Sequence, residues 1–462
     1  MTYFKRNIDS QLLAWKDSRN RKPLLVRGAR QIGKSSSVRN LAKHFKHFLE
    51  VNLESNKMAL SIFETEYDVK IICERLSVLY ATPVIPGETL IFLDEIQASQ
   101  AAIKSLWFFK ENLPDIHIVA AGSLLEFALK DISSFGVGRI SSMFMYPMSF
   151  CEFLEANGKG IWAAALKGAT PQSPLFEALH DELVSIYRTF LLVGGMPASV
   201  TAWVETGDYN ECMNELSDIQ QSYYDDFPKY KDKINTELLR NTLQSVIVQT
   251  GKKFVFSRVP GGFSSDEVKK ALSMLSDAGI INKVSHTAAN GLPLGAEVNE
   301  KFVKYNYLDT GLLLRILDLD FGGSKPLTDL IVAGSEVDLV NKGSLAELSV
   351  GLELIKASDV RHRYELHYWE NLSNGTTSEV DYVIPYEMKV LPIEVKSGTS
   401  GKMKSLRLFM QKKNISTAVR TSLENFNILS YQDNGVERKI DIIPIYAIGN
   451  LARVRQDPSS ER

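Results

Sequence analysis

The chain has 462 residues, enough for two to four domains and too many for one small module. Hydrophobic residues at 44% and charged residues at 23% are ordinary for a globular protein. The 53 basic and 55 acidic residues leave a net charge of −2, which excludes a uniformly basic nucleic-acid coat but not a local basic face. Cys73, Cys151 and Cys212 are far apart and form no C-x-x-C pair. A disulfide framework or a zinc ribbon is therefore not expected, and a reducing compartment is. The opening MTYFKRNIDSQLLAWK has no continuous apolar run, and no stretch of ~18 apolar residues occurs later, so the expectation is a cytoplasmic protein with no membrane partner.

Residues 1–150 alternate short β-rich runs with helical patterns, which predicts a parallel sheet flanked by helices. Expected strands are Leu24–Arg27, Phe48–Leu53, Thr89–Leu93, Ile116–Ala120 and Ile140–Tyr146. The first runs into Gly28, Ala29, Arg30, Gln31, Ile32, Gly33, Lys34 and Ser35, followed by Ser36, and so matches the phosphate loop G-x-x-x-x-G-K-[ST]. Glycines let successive N–H groups face a phosphate, and the helix from Lys34 to about Phe45 adds its positive N-terminus. These nine residues are the candidate nucleotide-binding set. Lys34 would reach the β- and γ-phosphates, and Ser35 would bind Mg²⁺.

The run Leu90–Leu93 ends in Asp94-Glu95. Open α/β sheets bind ligands beyond their strand C-termini, so Asp94 is a candidate Mg²⁺ residue and Glu95 a candidate general base for water. Ile118–Ala121 ends in Gly122-Ser123, where Ser123 has two compatible readings, a γ-phosphate contact and the N-cap of a Ser-x-x-Glu box. Arg139 reads either as a phosphate-facing arginine or as an ion-paired surface residue.

RGARQIGKSS, FLEVNLE, TLIFLDEIQ, IVAAGSLLEF and GRISSMFMYPMSFCEFL, in this order, resemble the AAA-type P-loop ATPases of bacteria and archaea whose C-terminal half is a domain of unknown function. The resemblance implies an ASCE-type sheet with an extra strand between the phosphate-loop strand and the acidic strand. It also implies ATP and Mg²⁺ as ligands; no N-K-x-D signature for GTP is present.

Residues 151–234 read as a helical lid or linker, with the turn Gly194-Gly195-Met196-Pro197 and a Tyr223-Tyr224 pair of core type. Residues 235–334 read as a winged-helix-like segment. Ser264-Ser265-Asp266-Glu267 is a capping box, and strand-like runs at Ile280–Ser285 and Phe302–Leu308 form a hairpin. Such a segment either binds DNA or packs on protein. Its second helix carries only Lys269 and Lys270 against Asp266, Glu267 and Asp277.

Residues 335–462 carry a second constellation. Glu347 lies on a helical run, Asp381 lies in the strand Val380–Ile384, and Leu391–Lys396 contains Glu394-x-Lys396. Alternate strand residues share a face, so Glu394 and Lys396 are expected together beside Asp381. Two carboxylates make a hard oxygen site for Mg²⁺, Lys396 would position water, and Glu347 would support the metal. The competing reading is a cross-strand salt bridge. The order Glu347, Asp381, Glu394, Lys396 resembles restriction-endonuclease-like domains, although Val380 stands where that pattern has proline. Gly401–Arg420 adds six basic residues and no acid, a conceivable phosphate contact.

The expected architecture is α/β: a P-loop NTPase sheet, a helical linker, a winged-helix-like segment and a C-terminal nuclease-like domain. The expected activity is Mg²⁺-dependent ATP hydrolysis coupled to rearrangement of the nuclease-like, DNA-binding module. The alternative is an ATP-dependent switch that binds a protein partner and does not cleave. Oligomeric state stays open.

Overall fold

The computed structural model describes residues 3–122, 125–130, 138–230, 233–317, 342–373, 376–398 and 403–451. The chain forms two compact units: Met1–Pro147 with Asp277–Gly279 and Asp359–Arg363, and the remainder.

The first unit is built on five parallel strands, β1 (Leu24–Arg27), β2 (His47–Asn52), β3 (Thr89–Asp94), β4 (His117–Ala121) and β5 (Ser141–Phe144), in the order β2-β3-β4-β1-β5. As the resemblance implies, β4 lies between the phosphate-loop strand β1 and the acidic strand β3. Strands β3 and β4 are buried along nearly their whole length, with apolar centres Leu90–Leu93 and Ile118–Ala121, because helices cover the sheet. Phe63, Ile72, Leu76, Ile103, Leu106 and Phe109 from three of these helices pack on Leu49, Val51, Ile91, Leu93, Ile118 and Ala120. The helix after the phosphate loop spans Lys34–Ala42, not Lys34 to Phe45. Its end tightens into i→i+3 bonds at His44 and Phe45, a common way for a helix to stop.

The second unit opens with helices Phe150–Ala156, Gly160–Gly168, Glu177–Val193, Pro197–Thr206 and Tyr209–Asp226. The expected helical segment is therefore present. Its Gly194-Gly195 turn meets the segment Leu308–Leu313. Gly194 has φ +72°, the Gly195 N–H donates to Asp309 Oδ2 at 2.7 Å, and Asp309 Oδ1 caps the helix Thr310–Ile316 through the Leu312 N–H. A Cβ on Gly195 would stand 2.2 Å from the Met148 carbonyl, so this approach excludes a side chain.

Helices Thr236–Val248 and Ser265–Asp277 follow, the latter started by the Ser264/Glu267 capping box. Then come β6 (Ile281–Thr287), β7 (Val298–Tyr307), β8 (Leu366–Ser373), β9 (Thr376–Tyr386), β10 (Lys389–Val395), β11 (Thr417–Ser422), β12 (Asn427–Asp433) and β13 (Val436–Pro444). They form one mixed sheet, ordered β12-β13-β11-β10-β9-β8-β6-β7. The expected helix–helix–hairpin is thus present, but its hairpin β6–β7 is the edge of the C-terminal sheet, joined by the parallel pair β6–β8. An isolated hairpin is marginal in water, and adding it to a sheet buries its apolar face. Helix Lys404–Lys412 covers the middle of the sheet through Leu406, Phe409 and Met410 on Trp369 of β8 and Val380 and Val383 of β9. Among the described residues no helix is long and apolar enough to cross a membrane.

Candidate functional site

The phosphate loop is shaped by its glycines. Gly28 has φ +139° and an added Cβ would meet the Met145 carbonyl at 2.2 Å, while Gly33 has φ +97° and starts the helix Lys34–Ala42. Lys34 is buried, and its ammonium donates to the carbonyls of Gly28 at 2.9 Å and Ala29 at 2.6 Å. Burial lowers its pKa to about 8, against the pull of Glu95 and Asp94. The Ser35 hydroxyl donates to Asp94 Oδ2 at 3.0 Å. Burial raises the Asp94 pKa, and the Ser35 hydroxyl partly offsets this. Hydroxyl and carboxylate at this spacing are hard oxygen donors fit to share Mg²⁺. The loop backbone and a buried cation fit a polyphosphate.

Glu95 has left-handed backbone, φ +50°, and its Oε2 accepts from Gln97 Nε2 at 2.6 Å. The Gln97 side chain lies over Gly122 at the end of β4, where a Cβ would fall 1.9 Å from Gln97 Oε1. Arg6 buttresses the loop from outside the motif, donating to the carbonyls of Ile32 at 2.9 Å and Tyr146 at 2.7 Å. Ser123 lies outside the described residues. The Glu126 carboxylate is paired with Arg27. Arg139 is not brought to the loop. It precedes β5, which runs parallel to β1, so it lies at the end of the sheet opposite Gly28. There it pairs with Glu111 at 2.5 Å and stacks 4.7 Å from the Trp107 ring.

In the second unit, β9 and β10 pair with Ile393 opposite Tyr382, which sets Glu394 across from Asp381. Asp381 Oδ2 accepts the Val395 N–H at 2.7 Å, and Lys396 Nζ donates to Glu394 Oε1 at 2.5 Å. Glu347 comes from the helix Lys342–Lys356. Four residues on, on the same face, Gly351 lies so close to β7 and β9 that a Cβ would stand 2.4 Å from both Asn306 Nδ2 and Tyr382 Oη. That approach lets Glu347 reach the strands. Thus the structure brings Glu347, Asp381, Glu394 and Lys396 to one region and adds two residues.

One addition is Glu379: ligand oxygens of Glu347, Glu379 and Asp381 lie within 4.8 Å of one another, a geometry able to hold a metal ion. The other is Lys304 of β7, whose Nζ lies 2.7 Å from Glu347 Oε1 and 2.5 Å from Glu379 Oε1. Burial raises the pKa values of Glu347 and Asp381, and the Lys304 ammonium pulls both back. Burial, with Asp381 nearby, raises Glu394 to about 7.

In the basic run, Lys404, Arg407 and Lys412 are exposed on the helix Lys404–Lys412. Gly401 and Lys402 lie outside the described residues, Arg420 is buried against Glu424, and Lys412 and Lys413 bond Asn371 and Asn290.

Family models match three segments: an AAA domain at residues 20–154, a domain of unknown function (DUF8612) at 184–321 and another (DUF4143) at 342–448. The chain thus carries an AAA-type P-loop domain, followed by domains of unknown function. No curated protein matches the chain. Among solved structures it is similar to the Walker-type ATPase PABY2304 of Pyrococcus abyssi, at 15% identity and TM-score 0.44 over 68% of this chain and 96% of that one. It is also similar to the Aeropyrum pernix ORC1 protein in complex with DNA, at 11% identity and TM-score 0.30 over 72% and 93%.

Sequence reasoning missed Gln97, Arg6, Lys304 and Glu379. A signal existed for Glu379, which is two residues from Asp381 in an alternating strand. None existed for Lys304, which is 77 residues away from Asp381 and becomes a neighbour only through sheet order.

Proposed function

We propose that the protein hydrolyses ATP with Mg²⁺ and couples hydrolysis to rearrangement of its C-terminal, nuclease-like module. The observation that carries this is the convergence of Lys34, Ser35, Asp94 and Glu95 at the strand ends β1 and β3. Mg²⁺, held by Ser35 and Asp94, would neutralise charge on the phosphates. The rest falls to the chain. Loop N–H groups and Lys34 orient the phosphates, and Glu95, held by Gln97, accepts a proton from the attacking water. Coupling is supported by the make-up of the first unit, which includes Asp277–Gly279 and Asp359–Arg363 from later in the chain. Within that unit an added Cβ at Gly279 would stand 3.0 Å from the Ala29 nitrogen of the phosphate loop.

A second reading is an ATP-dependent switch that binds a protein partner, with a nuclease-like domain that does not cleave. The Lys304 ammonium among the acidic residues favours it. The test is ATP turnover with Mg²⁺, with and without single-stranded or duplex DNA, for wild type, Lys34→Ala and Glu95→Gln. Stimulation by DNA, lost in both variants, supports the first reading, and cleavage by wild type but not Asp381→Ala would establish a nuclease. Slow turnover that ignores DNA supports the switch. Failure to bind ATP overturns both.

A further inference from the structure

We propose that the Lys304 ammonium is a tethered cation occupying the position that a divalent metal would take in the acidic cluster, so that the wild-type site is closed to metal. This deepens the switch reading without depending on ATP turnover.

The cluster calls for a cation. Glu347, Glu379 and Asp381 bring carboxylate oxygens within 4.8 Å of one another, and Glu394 stands across the ladder from Asp381, buried, with its Oε2 lacking a hydrogen-bond partner among the described residues. Lys304 answers that call. Its side chain is 2% exposed and its Nζ bridges Glu347 at 2.7 Å and Glu379 at 2.5 Å. The ammonium also lies 5.0 Å from the centre of the Tyr368 ring, a favourable cation–π placement. A metal bound to Glu347 and Glu379 would need oxygens at about 2.1 Å for Mg²⁺. A second positive centre on the same two carboxylates would face the ammonium at van der Waals range with little water to screen it. The two cations are therefore alternatives. Lys396, in contrast, makes its ion pair with Glu394 and acts on Asp381 only through its charge.

The lysine is also held in place. Asn306, two residues along β7, donates to Tyr382 Oη at 3.0 Å, and Tyr382 donates to the Glu347 carbonyl at 2.8 Å. These bonds tie β7, β9 and the Glu347 helix together around the ammonium.

The test uses the full nucleotide-free chain and Mn²⁺, with binding read by electron paramagnetic resonance and stability by urea unfolding. Wild type and Lys304→Arg are expected to show no Mn²⁺ binding that Asp381→Asn abolishes. Lys304→Met and Lys304→Gln are expected to be destabilised without metal, because they strand buried carboxylates. Both should bind one Mn²⁺ at least tenfold more tightly than wild type and regain stability with it, and Asp381→Asn added to either should cancel the gain. Mn²⁺ binding to wild type that Asp381→Asn removes would overturn the proposal, as would neutral variants that fold yet gain no Mn²⁺-dependent stability. Should neither neutral variant fold, the wild-type comparison decides by itself. ATP turnover measured on the same variants separates a failure here from a failure of the ATPase reading.

Discussion

Gln97 holds Glu95: the amide nitrogen donates to the carboxylate at 2.6 Å, while the rest of the side chain lies over Gly122 at the tip of β4. The glutamate that would take the proton from water is thereby fixed by a residue two positions on, in a short 3₁₀ turn that its own left-handed backbone begins. A hydrogen bond to a charged group contributes about 1.5–3 kcal/mol. Gln97→Leu should therefore lower kcat by roughly 10- to 100-fold, with KM for ATP changed less than about twofold, since Gln97 bonds the base and not the loop. Steady-state kinetics of the variant checks this. Equal effects on kcat and KM would mean that the turn as a whole had moved.

The buried Lys34 gives ATP binding a pH dependence. Burial lowers its pKa to about 8 in the free protein, and a bound polyphosphate would favour the charged form. Affinity should then be constant below about pH 7.5 and fall about tenfold per pH unit above about 8.5, with a proton taken up on binding in that range. Calorimetry in two buffers of different ionisation enthalpy measures the uptake. Lys34→Arg, which stays charged, should flatten the profile while binding more weakly overall.

The two chemical regions differed in how far the sequence disclosed them. The phosphate loop is local. Gly28 to Ser35 are consecutive, and the strand before and helix after give each residue its place, so the amino acids themselves specify the geometry. The acidic pair at the end of β3 was readable because four apolar residues mark a buried strand. Arg139 had two readings, and its exposed pairing with Glu111 fits the ion-paired surface one, but its sign and size say nothing of which end of the sheet it occupies. Parallel pairing of β1 and β5 puts it at the far one.

In the C-terminal unit, Asp381, Glu394 and Lys396 followed from strand alternation, but alternation fails beside them. His367 pairs with Val383 and Trp369 with Val380, so Asp381 and Tyr382 together oppose Tyr368 in a β-bulge. That irregularity lets Tyr382 bond the Glu347 carbonyl while Asp381 joins the carboxylates. No local pattern announces it, and the wing reading of β7 concealed Lys304, whose role exists only once the hairpin has joined the sheet.

The two-glycine turn should prove indispensable for stability. A methyl group at Gly195 would stand 2.2 Å from the Met148 carbonyl and 2.8 Å from its nitrogen, and both are backbone atoms that cannot swing aside. Overpacking of this kind costs about 1–3 kcal/mol and occasionally more. Gly195→Ala should lose at least about 3 kcal/mol in urea unfolding of the C-terminal unit, whereas Gly291→Ala, with nothing within 4 Å, should stay within about 0.5 kcal/mol. Asp309→Ala removes the acceptor for Gly195 and the cap of the following helix, and should cost about 2 kcal/mol or more.

The C-terminal unit should also weaken as pH rises. Glu394 is raised to about 7, first by burial and then by Asp381. The unfolded carboxyl titrates near 4.5, so between these values the folded state binds more protons than the unfolded state. Stability from this group is therefore complete below about pH 4.5 and is lost as pH climbs through about 7. Glu347 is raised in the same direction by burial, with Lys304 opposing, and reinforces the slope. Urea unfolding of wild type from pH 5 to 8 should show a decline of roughly 2–3 kcal/mol in this unit. Glu394→Gln, neutral throughout, should be flatter by about that amount and more stable than wild type at pH 8. A Glu394→Gln profile that falls as steeply as wild type would place the sensitivity elsewhere in the unit. A stability that rises with pH would mean that the carboxylates are better stabilised in the fold than in water.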